Sequence, residues 1–187
     1  YTMCMETRNV IDHYHYWKHE AILADLDSKR KNYSILCSNL YNDFNISTVI
    51  RNANAFLASK VIIYGSKQYD RRGAVGTQNY TRFQHCKTTE ELKNYLIGLD
   101  IGCEGRLKIV GIDNISTAKP IDEYEWDVNT HYVIAFGQEQ VGLPEEVLDM
   151  CDDLLYIKQY GSVRSLNVGT ASGIVMYDYC SKIKVHT

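Results

Sequence analysis

Residues 160–173 read YGSVRSLNVGTASG, and the reading of this stretch decides the fold of the chain. A glycine turn at Gly161 leads into Ser165, Leu166, Asn167 and Val168. Then follow Gly169, Thr170, Ala171, Ser172 and Gly173, which carry almost no side chain. The segment predicts a helix over 165–183 with an asparagine in its first turn. Helices ordinarily place larger apolar residues on the face they bury. Small residues here imply that another part of the chain comes very close to this backbone.

Upstream of that helix, short apolar runs alternate with helical patterns. The runs 33–40, 60–66, 106–113, 131–137 and 153–159 read as buried strands. Between them, 47–58 carries Val49, Ile50, Ala53 and Phe56 at helical spacing, and 88–96 opens with a capping box from Thr88 to Glu91. Pro144 and the acids after it start another helix. An early, charge-rich helix is expected over 10–30. Such alternation implies an α/β fold, a mostly parallel sheet with helices on both faces. Residues 66–84 lack apolar periodicity and read as a long loop, a length usually tied to function.

Composition narrows the class. The chain has 187 residues and a net charge of −3, which argues against a bulk nucleic-acid binder but leaves room for a local basic patch. Lys29, Arg30 and Lys31 form one basic cluster; Arg71 and Arg72, with Arg82 beyond, form another. No apolar run is long enough to span a membrane, and residues 1–20 lack the apolar core of a signal peptide. Cys4, Cys37, Cys86, Cys103, Cys151 and Cys180 are scattered, with no C-x-x-C pair, which suits reduced thiols in the cytoplasm. His15 and His19 share a helical spacing, but nothing beside them completes a metal site, and no metal is expected. Tyr14, Tyr16 and Trp17 read as packing residues.

Open parallel sheets bind ligands beyond the carboxyl ends of their strands. Three expected loops there carry unusual residues: DFNISTVIRNANAF (43–56), FGQEQVGLPEEV (136–147) and the opening stretch. No dinucleotide-binding glycine pattern, P-loop or hydrolase elbow occurs in the sequence. Each residue has a plain reading: Asn45 as a helix cap, Arg51 as a surface residue, Gly137 and Gly142 as the ends of a turn.

Taken together, the three loops resemble a known family. NISTVIRNANAF (45–56), VIAFGQEQVGLP (133–144) and LYIKQYGSVRSLNVGTASGI (155–174) are similar, in order and spacing, to the motifs of SpoU-type, TrmH-like RNA ribose 2′-O-methyltransferases of the SPOUT class. The resemblance runs over roughly 33–183, with 1–32 as an N-terminal helical arm and 33–187 as the methyltransferase domain. It implies a deep C-terminal trefoil knot, a rare exception to ordinary chain connections. It also implies S-adenosylmethionine as cofactor, with contacts at Gly111, Ile112, Gly137, Gly142, Ile157, Ser165 and Leu166. By the same resemblance, Arg51, Asn45, Glu139, Ser165 and Asn167 are catalytic, and Arg51 either takes a proton or stabilises the developing alkoxide. DRRGAVGTQNYTRF (70–83) looks like a variable substrate loop, which would make Arg71, Arg72 and Arg82 RNA contacts. A homodimer is expected through the last helix, with Ile174, Val175 and Tyr177, and the N-terminal helix. The implied substrate is RNA, tRNA ahead of rRNA; a base-modifying SPOUT enzyme and a non-catalytic RNA-binding relative stay open. Ser47 stands where the family has glycine, and Lys158 where it often has proline.

Overall fold

The computed structural model describes residues 9–40, 45–103, 105–139 and 141–183. Its strands are β1 (Lys31–Asn39), β2 (Ala58–Gly65), β3 (Phe83–Cys86), β4 (Arg106–Ile112), β5 (Lys119–Pro120), β6 (Thr130–Phe136) and β7 (Asp153–Tyr156). They form one seven-stranded sheet in the order β3-β2-β1-β6-β4-β7-β5. Every neighbouring pair is parallel. β1, β2, β4, β6 and β7 fall on the five expected runs, although β7 stops at Tyr156. The edge strands β3 and β5 were not expected: they are short and lack an apolar run.

The helices are α1 (His19–Lys29), α2 (Ile46–Ala55), α3 (Thr89–Gly102), α4 (Glu145–Leu148) and α5 (Val168–Lys182). Strand side chains alternate between two cores, one on each face of the sheet. Ile35, Cys37, Ile134 and Phe136 pack with α2 and α5 through Val49, Ile50, Val175 and Met176. Leu36, Val133 and Ala135 pack with α3 and α4 through Leu92, Leu96 and Val147. Both faces of the sheet are therefore covered, which is why its central strands read as continuous apolar runs. Val175, expected at a subunit contact, is fully buried in the first core. The cap of α3 forms as expected on one side, with Thr88 Oγ1 accepting from Glu91 N. The Glu91 carboxylate, however, closes on the amide of Lys87.

The helix expected over 10–30 is two pieces, a 3-10 turn at Asp12–Tyr14 and α1. Lys18 is extended between them. This break folds Tyr14 back so that it packs with Ile22 and Tyr80, while its hydroxyl donates to Asp25. The arm thus docks on the 66–84 segment through a small core of its own. That segment holds two 3-10 turns, Arg72–Ala74 and Thr77–Tyr80, with Ala74 buried in the core beneath α2. Of the cysteines, Cys4 lies outside the described residues, and the other five form no disulfide with one another. No helix among the described residues is long and apolar enough to cross a membrane.

The small residues of the opening stretch are explained by α2. A Cβ at Gly169 would lie 2.7 Å from Thr48 Cγ2, and one at Gly173 would lie 3.3 Å from Asn52 Nδ2. Asn52 Nδ2 donates to Gly169 O and to Ser172 Oγ, both at 2.9 Å. The part of the chain that comes close is thus a packed helix, which touches this backbone through its side chains. α5 also starts three residues later than expected, because Asn167 is its N-cap, with Oδ1 accepting from Thr170 N.

Candidate active site

The carboxyl ends of β4, β6 and β7 surround a cleft of about 430 Å³. Ile112, Phe136, Leu143, Ile157 and Leu166 give it apolar walls. The size and lining suit a small-molecule ligand. After β6 the chain doubles back: Gln138 N donates to Gly142 O at 3.0 Å, and Gly142 N donates to Gln138 O at 2.8 Å. A Cβ on Gly137 would overlap the Gly142 carbonyl and Leu143 N. Here, not in α5, one backbone lies directly against another. Gly142 has a φ of +69°, in the left-handed region that favours glycine.

Two residues unremarked in the sequence tie the cleft loops together. Asp113 Oδ2 accepts from Leu143 N at 3.0 Å, and Oδ1 accepts from Asn114 N at 2.8 Å. Asn114 Nδ2 then donates to Arg164 O at 3.0 Å. One dipeptide after β4 therefore holds the loops that follow β6 and β7. The available signal was an Asp-Asn pair at a strand's carboxyl end, a position suited to side chains that bond backbone.

Asn45, Glu139 and Asn167 meet beside the cleft. Asn45 Nδ2 donates to Glu139 Oε2 at 3.1 Å, and Asn167 Nδ2 donates to Asn45 Oδ1 at 2.7 Å. Asn167 Oδ1 accepts from Thr170 N, so each amide has its orientation set. The direction runs from the start of α5 to the Glu139 carboxylate. Asn45 occupies the N-cap position of α2 but makes no side-chain cap bond, so the plain capping role is not the one it plays.

Arg51 stands apart from this cluster. It lies on α2 beyond Asn45, roughly 9 Å further along the helix axis by helical rise. It is exposed and makes no hydrogen bond or ion pair among the described residues. Ser165 is exposed at the cleft wall next to Leu166. Of the expected cofactor contacts, Ile112, Gly137, Gly142, Ile157, Ser165 and Leu166 line the cleft. Gly111 lies one residue earlier, buried, where a Cβ would press on side chains of Leu154, Cys151 and Leu143. Burial pushes the Cys151 thiol up to about 12, so this neighbour stays protonated.

The expected RNA contacts are differently placed. Arg72 forks onto Asp70, and Arg82 pairs with Asp27 of α1. The Arg82 hydrogen bond is the main cause holding the Asp27 carboxyl below its usual range. Arg82 thereby fastens the arm to the body of the protein. Arg71 is exposed at the start of a 3-10 turn. Both departures from the motif have local partners. The Ser47 hydroxyl fills the space that a Cβ at Gly73 would need. Lys158 bonds Glu123 at 2.7 Å and Asp122 at 2.9 Å, and these bonds raise its pKa.

A parallel sheet with a cleft at its carboxyl ends, glycine-lined and bordered by a fixed amide–carboxylate chain, defines an α/β protein whose three motif loops meet at one site. A profile of the SpoU rRNA Methylase family matches residues 32–177, and the chain belongs to that family. It is 35% identical over 74 residues to the 23S rRNA (guanosine-2′-O-)-methyltransferase RlmB of Acinetobacter baylyi. That match covers 40% of this chain and 29% of the relative. It is 23% identical to the tRNA (guanosine(18)-2′-O)-methyltransferase of Aquifex aeolicus, over 82% of this chain and 71% of the relative. Among solved structures, the SpoU methyltransferase AviRb of Streptomyces viridochromogenes, in complex with AdoMet, superposes with a TM-score of 0.71. Identity there is 21%, over 82% of this chain and 58% of the other. The A. aeolicus TrmH/SpoU tRNA modifying enzyme gives 0.70 at 21% identity, over 88% and 83%. These likenesses bear out the expected α/β fold.

Proposed function

We propose that this chain transfers a methyl group from S-adenosylmethionine to a ribose 2′-hydroxyl of RNA. The observation that carries the reading is the oriented chain Asn167–Asn45–Glu139 at the edge of the apolar cleft. The residues present fit the cofactor: apolar walls suit a purine, and the Asp113 and Glu139 carboxylates in the lining suit a sulfonium cation. Ile112, Gly137, Ile157 and Leu166 would hold it, and it supplies a methyl group already activated for displacement. The trefoil knot of the family belongs to the same reading.

The difficult partner is the hydroxyl, a very weak acid, so the protein's task is alignment and charge stabilisation. Glu139 and Asn45 fix the edge where the ribose lies. Arg51, exposed on α2, meets a phosphate and the developing alkoxide with its planar fork. Ser165 orients the ribose from the opposite wall. Arg71 and Arg164 border the face the RNA covers.

tRNA is the favoured substrate. Relatives named for tRNA, from A. aeolicus and Escherichia coli, align with 82% and 86% of this chain, and the 23S rRNA relative of Coxiella burnetii with 85%, so both RNAs enter the assay. A homodimer fits the exposed outer side of α5, where Ile174 and Tyr177 stand with Phe56 beside Tyr177. The reading places the protein in the cytoplasm with its RNA.

The test is transfer of labelled methyl to unmodified tRNA and to rRNA, followed by nuclease digestion and mass spectrometry. A 2′-O-methylated dinucleotide resistant to cleavage is expected. A methylated base would move the reading to the base-modifying class, and cofactor binding without any transfer would make this a non-catalytic relative. Sedimentation reporting a monomer at micromolar concentration would remove the dimer.

A further inference from the structure

The described residues that line the cleft carry three charges, one from each of its loops: Asp113 after β4, Glu139 after β6 and Arg164 after β7. The two carboxylates have partners. Asp113 accepts from Leu143 N and Asn114 N, and Glu139 accepts from Asn45. Arg164 differs from them. Its carbonyl is held by Asn114 Nδ2, which fixes its backbone at the cleft wall. The residue is exposed, and its guanidinium makes no hydrogen bond or ion pair among the described residues. Lys158, between the lining residues Ile157 and Gln159, is the other cation near this wall, and it is committed to Asp122 and Glu123. An uncommitted guanidinium on a long, exposed side chain is a ready partner for a planar anion, which its fork meets with two hydrogen bonds.

The cofactor carries the complementary charges. Its sulfonium and α-ammonium are positive and its carboxylate is negative, while the described lining holds two carboxylates and one guanidinium. We propose that Arg164 pairs with the carboxylate of the cofactor's amino-acid tail. The inference rests on the cofactor reading given above. Apolar walls grip a purine without selecting the tail, whereas a matched set of charges fixes which end lies where. Arg164 is a binding residue and takes no part in the displacement. A carboxylate and an RNA phosphate share the chemistry a guanidinium recognises, so the experiment separates the two.

The test is calorimetry with the wild type, Arg164→Gln and Arg164→Lys. Three ligands are used: S-adenosylhomocysteine, its decarboxylated counterpart, and 5′-methylthioadenosine, which lacks the whole tail. Arg164→Gln is expected to bind S-adenosylhomocysteine about fivefold more weakly, the upper range for an exposed ion pair. It should bind the other two ligands as the wild type does. Arg164→Lys should recover part of the loss, because the charge remains without the fork. The wild type's advantage over Arg164→Gln should shrink in high salt. A structural arginine would not produce a loss that depends on the ligand's carboxylate. An equal loss for all three ligands overturns the inference, since a disturbed wall then explains it. Unchanged affinity for S-adenosylhomocysteine in Arg164→Gln overturns it too and leaves the cofactor reading standing. Weaker binding of unmodified RNA by that variant would then assign the guanidinium to a phosphate. A wild type that binds none of the three ligands overturns the cofactor reading as well.

Discussion

At the amino ends of β1 and β6, His131 Nε2 lies 3.0 Å from Ser34 Oγ, and His131 Nδ1 lies 2.7 Å from Asn32 Oδ1. At the carboxyl ends of the same sheet, Asn45, Glu139 and Asn167 form their own chain. The first set has the order of a nucleophile, a base and an orienting group, the arrangement of covalent catalysis. Yet Ser34 is 1% exposed and His131 7%, and Ser59 Oγ closes the set at 2.8 Å from Ser34. The second set uses no nucleophile at all, but it borders an open cleft. The difference teaches that residue types in a line do not make a site; partnered groups beside reachable space do. One end of the sheet closes over its polar set, and the other leaves its set beside an open cleft.

The largest expected effect breaks the chemical end. Arg51→Ala should lower methyl transfer on the order of a hundredfold or more while leaving cofactor affinity nearly unchanged. Arg51→Lys should not restore it, because a point charge does not replace a planar fork. Labelled-methyl transfer, with calorimetry in parallel, checks both; near-normal transfer by the alanine variant would make Arg51 a surface residue.

Next in size is Gly137→Ala. Its methyl group would overlap the Gly142 carbonyl, so the turn must open. Stability should fall on the order of 2–3 kcal/mol, and cofactor binding should go with it. Urea unfolding and calorimetry read the two losses.

The amino end is probed through pH. Burial pushes the His131 pKa down to about 4, against roughly 6.5 in an unfolded chain. Between those values the unfolded state binds more protons, so this contribution to stability is full above about pH 6.5 and is lost as pH falls towards 4. Unfolding free energy should drop by about 2 kcal/mol from pH 7 to pH 5 on this account. His131→Gln should flatten that slope, and an equally steep slope in the variant would assign the dependence elsewhere.

The smallest effect is that of Asn114→Ala, which frees Arg164 O and loosens one wall of the cleft. About threefold weaker cofactor binding is expected, with stability changed by about 1 kcal/mol or less. Equal affinity would show that the backbone alone sets the wall.

The central sheet was legible because strands covered on both faces leave nearly unbroken apolar runs, as at Tyr132–Phe136. β5 was not, because Lys119–Pro120 pairs at an edge and carries no pattern. The split of the early helix depends on Tyr14 reaching Ile22 and Tyr80, a contact with no local signature. The meeting of Asn45 with Glu139 and Asn167 joins residues 94 and 122 positions apart, so spacing alone could not foretell it. Family motifs supplied those names. Asp113 and Asn114 escaped notice because their importance lies in bonds made across loops. Arg82, read as an RNA contact from its basic stretch, also pairs with Asp27, a partner 55 positions away that no local pattern announces.

β6 sits between β1 and β4 in the sheet but follows both in the chain. During synthesis, β1, β2, β3 and β4 all leave the ribosome before Thr130–Phe136 exists. Until then the edge of β1 stays open, facing the same hazards of wrong pairing as any unprotected strand. The middle of the sheet therefore closes only after the strands on both sides of it exist, with β7 still to enter between β4 and β5, and closing it joins segments far apart in sequence, which favours slow folding. A nascent chain halted just before Thr130 should bind chaperones and yield readily to protease, while one extended past Phe136 should begin to resist.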